Sequence, residues 1–380
     1  MREEPQSPPP PSRRRALSQL VAPARLRESL ALNQPASVRN ATVAGVQAAA
    51  AVVLVAAALH FSPWSPLAGF GGLGALAALF GRFAPLARRR RVVLTAGALL
   101  VLPVAVLSLL AWAGLPPLPM LLALGAMAGL LASLAHRTQM GPPGAVIFIF
   151  AASAALSPPA DAVALAGRAV ATALGVASAW LLCLLTDHWR DLNVAPAPAA
   201  TAAAPPAPPP PPPGYAPLLA LRVGLCATLA AGLAHGAGWS HPAWAAIGAV
   251  AVLQGAHLPG TVHRAWQRTL GTVIGAAVAW AILSTSPSFW TLLIAVAMLQ
   301  ILTEVVIGFN YALGQIFVTP MALLMTTLAS HGEPATMATS RVYDTALGAA
   351  VGIVLALVFS SLDERVHLAR HHSAQQTPRR

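Results

Sequence analysis

The sequence contains no lysine: all 23 of its basic residues are arginine. A nucleotide-binding P-loop needs a lysine on the phosphates, and a Schiff base with a cofactor needs a lysine amine. Both kinds of site are therefore excluded. The lack of lysine beside much alanine, proline and arginine also suggests a GC-rich bacterial genome.

Charge of either sign is scarce. Only 9% of the 380 residues are charged, 57% are apolar, and the mean hydropathy is +0.68. Soluble proteins carry roughly 25% charged residues, and a bilayer-spanning helix needs ~20 apolar residues. Charge-free runs such as 92–114 and 269–303 meet that need. The sequence therefore predicts an all-α, polytopic transmembrane protein that is embedded in a lipid bilayer.

Reactive side chains are also few. The two cysteines, Cys183 and Cys226, lie inside apolar runs, where cysteine behaves as a small hydrophobic residue. There is no nucleophile elbow, no dinucleotide fingerprint and no paired Cys/His set. We therefore expect no catalytic residue, no metal site and no cofactor, and the protein is not expected to be an enzyme.

Proline, glycine and charged breaks divide the chain into about twelve predicted spans, as two repeats of six. The spans near 65–80 and 144–157 are short, so each is expected to be tilted, re-entrant or broken. The predicted spans are 41–60, 65–80, 92–113, 117–135, 144–157 and 160–186, then 216–235, 241–257, 267–284, 287–305, 309–330 and 336–361.

These breaks also define the predicted domains. An Arg/Pro-rich disordered tail (1–40) precedes the first six-span repeat (41–190), and a cytoplasmic tail (363–380) follows the second repeat (215–362). Between the repeats, 191–214 is nearly all proline and alanine and includes the run Pro208 to Pro213. Such a segment favours a solvated polyproline linker.

The arginines predict the orientation. If the spans alternate, the arginines outside the spans fall in the tails and in one set of loops, and the opposite loops hold none. The positive-inside rule then places both termini in the cytoplasm of a bacterial inner membrane. This bias explains the formal net charge of +12, so no nucleic-acid partner is expected.

One motif occurs twice. Arg-x-x-x-Thr-Ala-Leu-Gly begins at Arg168 and again at Arg341, and 341 − 168 = 173 residues separate the copies. Each copy opens the last apolar run of a predicted repeat. An arginine inside a span is costly unless it is paired or faces water, so both are candidate functional residues.

The last predicted span concentrates polar residues on one helical face. Arg341, Asp344, Thr345, Gly348 and Gly352 follow one another at helical spacing. Two readings remain open: an intrahelical ion pair between Arg341 and Asp344 that only stabilises the bundle, or an anion site at which Asp344 positions the arginine or titrates.

The matching span of the first repeat has Arg168 and Thr172 at the same offsets but no acid one turn away. Its arginine is therefore expected to meet an anion or a partner from another helix.

A second polar group lies towards the predicted cytoplasmic side of the second repeat. It is a candidate coupling site or cytoplasmic mouth, although polar loop ends are also ordinary. Its members are Gln254, His257, Arg268, Glu304 and Asn310. Three Gly-x-x-x-Gly pairs, at Gly125, Gly271 and Gly348, predict close helix contacts.

The stretch that begins His241-Pro-Ala-Trp, with Phe317-Val-Thr-Pro-Met and the Arg341 motif, resembles the fusaric acid resistance family of aromatic acid exporters. The resemblance covers 216–361 well and 41–186 weakly. It implies gradient-driven export of aromatic or other hydrophobic organic acids. A periplasmic adaptor or a second copy of the chain is an expected partner.

The family is also similar to plant malate-gated anion channels, in which two six-span subunits form one pore. An organic-anion channel of the same architecture and a non-transporting membrane scaffold therefore remain the alternative functions.

Overall fold

The all-α prediction is confirmed over the part of the chain that the structure describes. The computed structural model describes residues 31–191, 215–254, 258–329 and 333–359. Most of the predicted tails and linker lies outside these ranges, which contain no strand. Their α-helices are α1 Val38–His60, α2 Ala68–Ala75, α3 Leu86–Trp112, α4 Pro117–Arg137, α5 Ala145–Ala154, α6 Ala162–Thr186, α7 Tyr215–Gly236, α8 Pro242–Leu253, α9 Leu258–Leu283, α10 Phe289–Ile307, α11 Tyr311–Ala329 and α12 Pro334–Val358.

Each predicted span overlaps one of these helices, and two helices begin more than five residues earlier than predicted. α3 begins 92 − 86 = 6 residues before its predicted span, and α9 begins 267 − 258 = 9 residues before. In α3 the added residues include the four arginines 88–91, and arginine favours helix. Within the described ranges, eight helices are long and apolar enough to cross a membrane.

Three helices are short. α2, α5 and α8 have 8, 10 and 12 residues, and 3₁₀ turns at Ser65–Leu67 and Leu76–Leu79 flank α2. At ~1.5 Å per residue these helices are ~12–18 Å long, about half of the ~30 Å hydrocarbon core. The two predicted short spans, near 65–80 and 144–157, therefore correspond to the short helices α2 and α5. The span predicted at 241–257 corresponds to α8, which is also shorter than expected.

Glycines bring pairs of helices into backbone contact. A Cβ atom on Gly175 of α6 would lie 1.9 Å from the carbonyl oxygen of Gly71 in α2. A Cβ atom on Gly348 of α12 would lie 2.2 Å from the carbonyl oxygen of Ala245 in α8. Gly125 and Gly271 likewise approach α7 and α11. The Gly-x-x-x-Gly pairs are thus confirmed as close contacts.

The first half (31–191) joins the second half (215–359) through two pairs of long helices and through two pairs that include the short helices. α1 packs on α10, and α4 packs on α7. Between these pairs, α5 contacts α8 and α2 contacts α11. The short helices α2, α5 and α8 therefore lie at the junction of the halves, where the cavities occur.

The outer surface carries apolar stripes. On α7, five leucines are 41–55% exposed, although the opposite face of the helix is buried. Trp112 and Trp280, each 50% exposed, lie near helix ends away from the arginine-rich loops. Exposed leucines flanked by tryptophans are typical of a lipid-facing surface with an interfacial aromatic belt. The leucines are Leu218, Leu221, Leu225, Leu229 and Leu233.

Candidate functional site: two cavities between the halves

Two cavities lie between the halves, and each holds one of the repeated arginines. The Arg341 cavity has a volume of about 1220 Å³ and includes side chains of the arginine-rich loops, such as Arg82. The Arg168 cavity has a volume of about 530 Å³ and includes the opposite loop residues Leu115 and Ser157. The matched arginines thus line separate cavities at opposite ends of the helices.

An apolar barrier separates the cavities. Along α2 and the 3₁₀ turn that follows it, along α8 and along α11, residues that line the Arg168 cavity lie about one turn from residues that line the Arg341 cavity. Phe150 of α5 lines both cavities, so its ring is the common wall. The barrier consists of Phe150, Leu73 of α2, Leu76 of the following 3₁₀ turn, Trp244 and Ile247 of α8, and Met321 and Met325 of α11.

Arg341 is held against an aromatic stack. Its guanidinium carbon lies 5.2 Å from the centre of the Trp244 ring, and Trp244 stacks on His241 at 4.1 Å. The residue is 3% exposed, and its Nε has no hydrogen-bond partner among the described residues. A cation–π contact orients a guanidinium while leaving its in-plane N–H donors for a ligand.

Arg168 has the corresponding environment in the first half. Its guanidinium carbon lies 5.2 Å from the centre of the Phe70 ring. Its Nη1 donates to the Ser157 carbonyl oxygen at 2.7 Å and to Ser108 Oγ at 3.3 Å. Asp161 does not serve as its partner, because that carboxylate caps α6 by accepting from the Ala164 amide at 2.6 Å.

These environments recur with almost constant spacing. The two cation–π pairs are offset by 341 − 168 = 173 and 244 − 70 = 174 residues. An acid caps both helices that carry the arginines, Asp161 on α6 and Glu333 on α12. The glycine contacts of α6 on α2 and of α12 on α8 recur as well.

The Arg341 cavity carries an excess of positive charge. Five of the arginines that the structure describes line it, whereas Glu304 is the one acid in that described lining. Glu304 pairs with Arg82 from the first half. Four cations are thus left unbalanced inside low-dielectric walls, which concentrates anions. The five are Arg82, Arg222, Arg264, Arg268 and Arg341.

Polar side chains orient two of these arginines. Arg268 donates from Nη1 to the Tyr311 hydroxyl at 3.0 Å and to Gln315 Oε1 at 3.4 Å. Arg264 donates to Gln254 Oε1 at 3.4 Å and lies over the Tyr311 ring, 5.0 Å from its centre. These contacts hold two guanidinium groups on the cavity wall.

Some cavity groups have no partner within the described residues. Both amide atoms of Gln300, the hydroxyl of Thr303 and Nε of Arg268 are buried without a hydrogen bond there. Buried polar groups without partners are rare, and each calls for an explanation such as water or a bound ion. Here the groups line one cavity, so they are candidate ligand contacts.

The sequence-predicted site residues fall into three places. Gln254, Arg268, Glu304 and Arg341 line the Arg341 cavity, and Arg168 lines the other cavity. His257 lies outside the described residues.

The remaining predicted residues are packed inside the protein. Thr172 lies in the α2–α6 contact, and its hydroxyl donates to the Arg168 carbonyl at 2.8 Å. Asn310 caps α11 by accepting from the Ala312 amide at 2.7 Å, and it donates to the Ala31 carbonyl at 2.9 Å.

Asp344 and Thr345 are buried in α12. No ion pair joins Asp344 to Arg341 in the described part of the chain, and neither carboxylate oxygen has a hydrogen-bond partner there. The intrahelical ion pair is therefore not formed.

Three further arginines are not among the residues that the sequence predicts for the site. Arg82 lies in a predicted arginine-rich loop, and Arg222 lies inside a predicted apolar span. Arg89, also taken as a loop cation, is completely buried and joins Gln47, Cys183 and Asp187. Only Arg222 carried a sequence signal, since a lone cation in an apolar run is itself unusual.

The apolar exterior, the long helices and the buried cation sites define a multi-span membrane protein. Residues 228–355 match the model of the family described as fusaric acid resistance protein-like. The chain is also 36% identical over 136 residues to the uncharacterized membrane protein YvaC of Bacillus subtilis (strain 168). That match covers 36% of this chain and 22% of the relative. No solved structure matches the chain.

Proposed function

We propose that the protein exports aromatic or other hydrophobic organic acids across a bacterial inner membrane, driven by an ion gradient. The observation that carries this proposal is the Arg341 cavity, which combines unbalanced cations with apolar and aromatic walls. An organic acid needs both features: a donor fork for its carboxylate and an apolar surface for its ring. The match to the fusaric acid resistance protein-like family supports transport rather than catalysis.

The proposed architecture is two six-span repeats with both termini in the cytoplasm. The recurring cation–π pairs support the repeat. So do the matched contacts, in which α1 on α10 corresponds to α7 on α4, and α2 on α11 corresponds to α8 on α5. Short helices suffice at the junction because cavities approach them from both ends, so lipid does not have to be spanned there.

The proposed mechanism starts in the Arg341 cavity. The substrate carboxylate binds Arg268 or Arg341, while its ring contacts the barrier. The barrier prevents free passage in this conformation, so rearrangement of α2, α5, α8 and α11 is required for release on the other side. Asp344, buried close to Arg341 on α12, is the proposed proton-coupling group. A buried carboxylate without hydrogen-bond partners is costly while it is charged, and taking up a proton removes that cost.

The test is uptake of labelled benzoate into proteoliposomes under an imposed proton gradient. Arg341→Gln and Arg268→Gln should each reduce the apparent affinity or the rate about tenfold or more, since a hydrogen bond to a charged group contributes ~1.5–3 kcal/mol. Arg90→Gln is the matched control, because Arg90 is exposed on α3. Normal transport by both cavity variants would refute this assignment of the site.

An anion channel is the second candidate, favoured by the single shared ring between the cavities. A small movement of Phe150 would join them. Voltage-clamped bilayers distinguish the two functions: a channel passes discrete unitary currents, whereas a carrier gives none and shows counterflow of labelled substrate. The proposed partners are lipid and a small organic anion, with a periplasmic adaptor or a second copy of the chain.

A further inference from the structure

We infer that the Arg168 cavity is a second carboxylate-binding site, separate from the Arg341 cavity and entered from the opposite side of the barrier. This inference rests on the proposed transport function and adds to it. The pathway would then contain two sites in series, one for each repeated arginine, rather than one site shared by both arginines.

The first support is the placement of the cation. Arg168 is 9% exposed, and it reaches a cavity of about 530 Å³ that both halves enclose. Of its guanidinium atoms, Nη1 donates to Ser157 and Ser108. These contacts and the Phe70 ring fix the plane of the group, and the other N–H donors remain for a ligand.

The second support is the rest of the lining. No acidic side chain occurs in the described lining of the Arg168 cavity, so nothing there neutralises the arginine. His241 also lines the cavity, and its Nδ1 is buried without a hydrogen-bond partner in the described part of the chain. An anion that accepts hydrogen bonds from Arg168 and from the Nδ1–H tautomer of His241 would satisfy a group that the protein leaves unpaired.

The third support is the apolar surface beside the cation. Phe70, Leu73, Phe150 and Met325 line the same cavity. A ring-bearing monocarboxylate would place its ring on these side chains and its carboxylate at Arg168. A small inorganic anion would bind only at Arg168 and would gain nothing from the apolar side chains. Benzoate and chloride are therefore the informative pair of probes.

The two sites also differ in positive charge. The Arg341 cavity has four unbalanced arginines, whereas the Arg168 cavity has one arginine in its described lining. Weaker electrostatic attraction at Arg168 would favour release after the substrate has passed the barrier, because conduction requires binding that is weak enough to leave.

The experiment measures protection of two introduced cysteines in oriented proteoliposomes. Ser153→Cys reports on the Arg168 cavity, and Val318→Cys reports on the Arg341 cavity. An impermeant thiol reagent is applied with or without benzoate on the same side, and the ratio of the two modification rates is the readout. The native Cys183 and Cys226 are buried, so background labelling should be low.

We expect benzoate to slow modification of each cysteine several-fold from its own side only. Arg168→Gln should abolish protection at Ser153→Cys and spare it at Val318→Cys, whereas Arg341→Gln should do the reverse. Arg168→Lys keeps the charge and should keep part of the protection. Chloride should protect more weakly than benzoate at both positions.

Two results would overturn the inference. One is that benzoate leaves Ser153→Cys unprotected in folded protein, a measurement that needs no arginine variant. The other is that one arginine variant abolishes protection at both cysteines, which would indicate a single shared site. Transport is scored separately: protection at both positions without benzoate flux would refute the proposed function alone, whereas flux with protection only at Val318→Cys would refute the second site alone.

Discussion

Arg82, in the turn after α2, forms an ion pair with Glu304 of α10 across the junction of the halves. The two side chains are 12% and 6% exposed, and both line the Arg341 cavity. The first half therefore supplies the cation that neutralises Glu304, the acid that the second half contributes to the described lining of this cavity. Because this pair cancels, the net charge of the cavity depends on the four arginines of the second half.

Replacing the acid should strengthen anion binding. Glu304→Gln removes the negative charge of this cavity lining, and at ~8 Å with an effective dielectric constant near 20 that charge is worth ~2 kcal/mol. We expect the dissociation constant for benzoate to fall about tenfold or more. The double variant Arg82→Gln with Glu304→Gln should return it towards the wild-type value. Titration calorimetry of the wild type, Glu304→Gln, Arg82→Gln and the double variant measures this cycle, and unchanged affinity in Glu304→Gln would contradict the charge account.

Removing the shared ring should open the barrier. Phe150→Ala deletes the side chain that lines both cavities, and hydrophobic constrictions close pores by excluding water. We expect gradient-independent benzoate leak through liposomes that contain this variant. Phe148→Ala is the matched control, since Phe148 is fully buried and stacks on Phe80 at 5.0 Å. It should lower stability by ~3–5 kcal/mol without leak. Equal leak in both variants would indicate general loosening instead.

Side chains at the tight helix contacts should prevent assembly. In Gly348→Ala the new Cβ atom would lie 2.2 Å from the Ala245 carbonyl oxygen, and backbone atoms cannot move aside as a side chain can. We expect little folded protein by fluorescence-detected size exclusion. Gly232→Ala, on α7, places its Cβ atom in open space and should leave the yield unchanged or slightly higher. A normal elution profile for Gly348→Ala would show that α8 and α12 can separate.

The buried arginine of α3 should be structural. Arg89 donates to Gln47 at 2.6 Å and to the Ala78 carbonyl at 2.9 Å, and its Nε lies 3.2 Å from Asp187 Oδ1. Arg89→Met leaves that carboxylate without its closest cation, and breaking a buried pair costs ~3–5 kcal/mol. Arg90→Met, at the exposed neighbour, should have little effect. Thermal unfolding in detergent compares the two, and equal melting temperatures would contradict the structural role.

Topology can be tested by labelling in intact cells. A cysteine introduced at Ser286, in the exposed turn between α9 and α10, should react with an impermeant thiol reagent. Cysteines at Thr138, beside the arginine-rich loops, and at Thr201, in the linker, should react only after permeabilisation. External labelling of the Thr201 position would contradict the arrangement of two six-span repeats.

Several features of this protein follow from local sequence alone. Long uncharged runs dictate membrane helices, because a polar backbone in lipid must satisfy its hydrogen bonds within the helix. Glycine spacing predicted the close approach of α12 to α8, since residues four apart share a helical face. The repeated arginine motif identified Arg168 and Arg341, and both indeed line cavities.

Other features depend on contacts between distant segments. Sequence patterns could not show that the two arginines open to different cavities, because that depends on how α2, α5, α8 and α11 meet at the junction of the halves. Nor could they separate Arg82 and Arg89 from the exposed Arg88 and Arg90 in the same arginine-rich stretch. Burial of each charge is decided by its partners, Glu304 for Arg82 and Asp187 for Arg89. Those partners lie some two hundred and one hundred residues away along the chain. Local periodicity therefore determined the helices, and only tertiary packing determined which charged side chains are buried together.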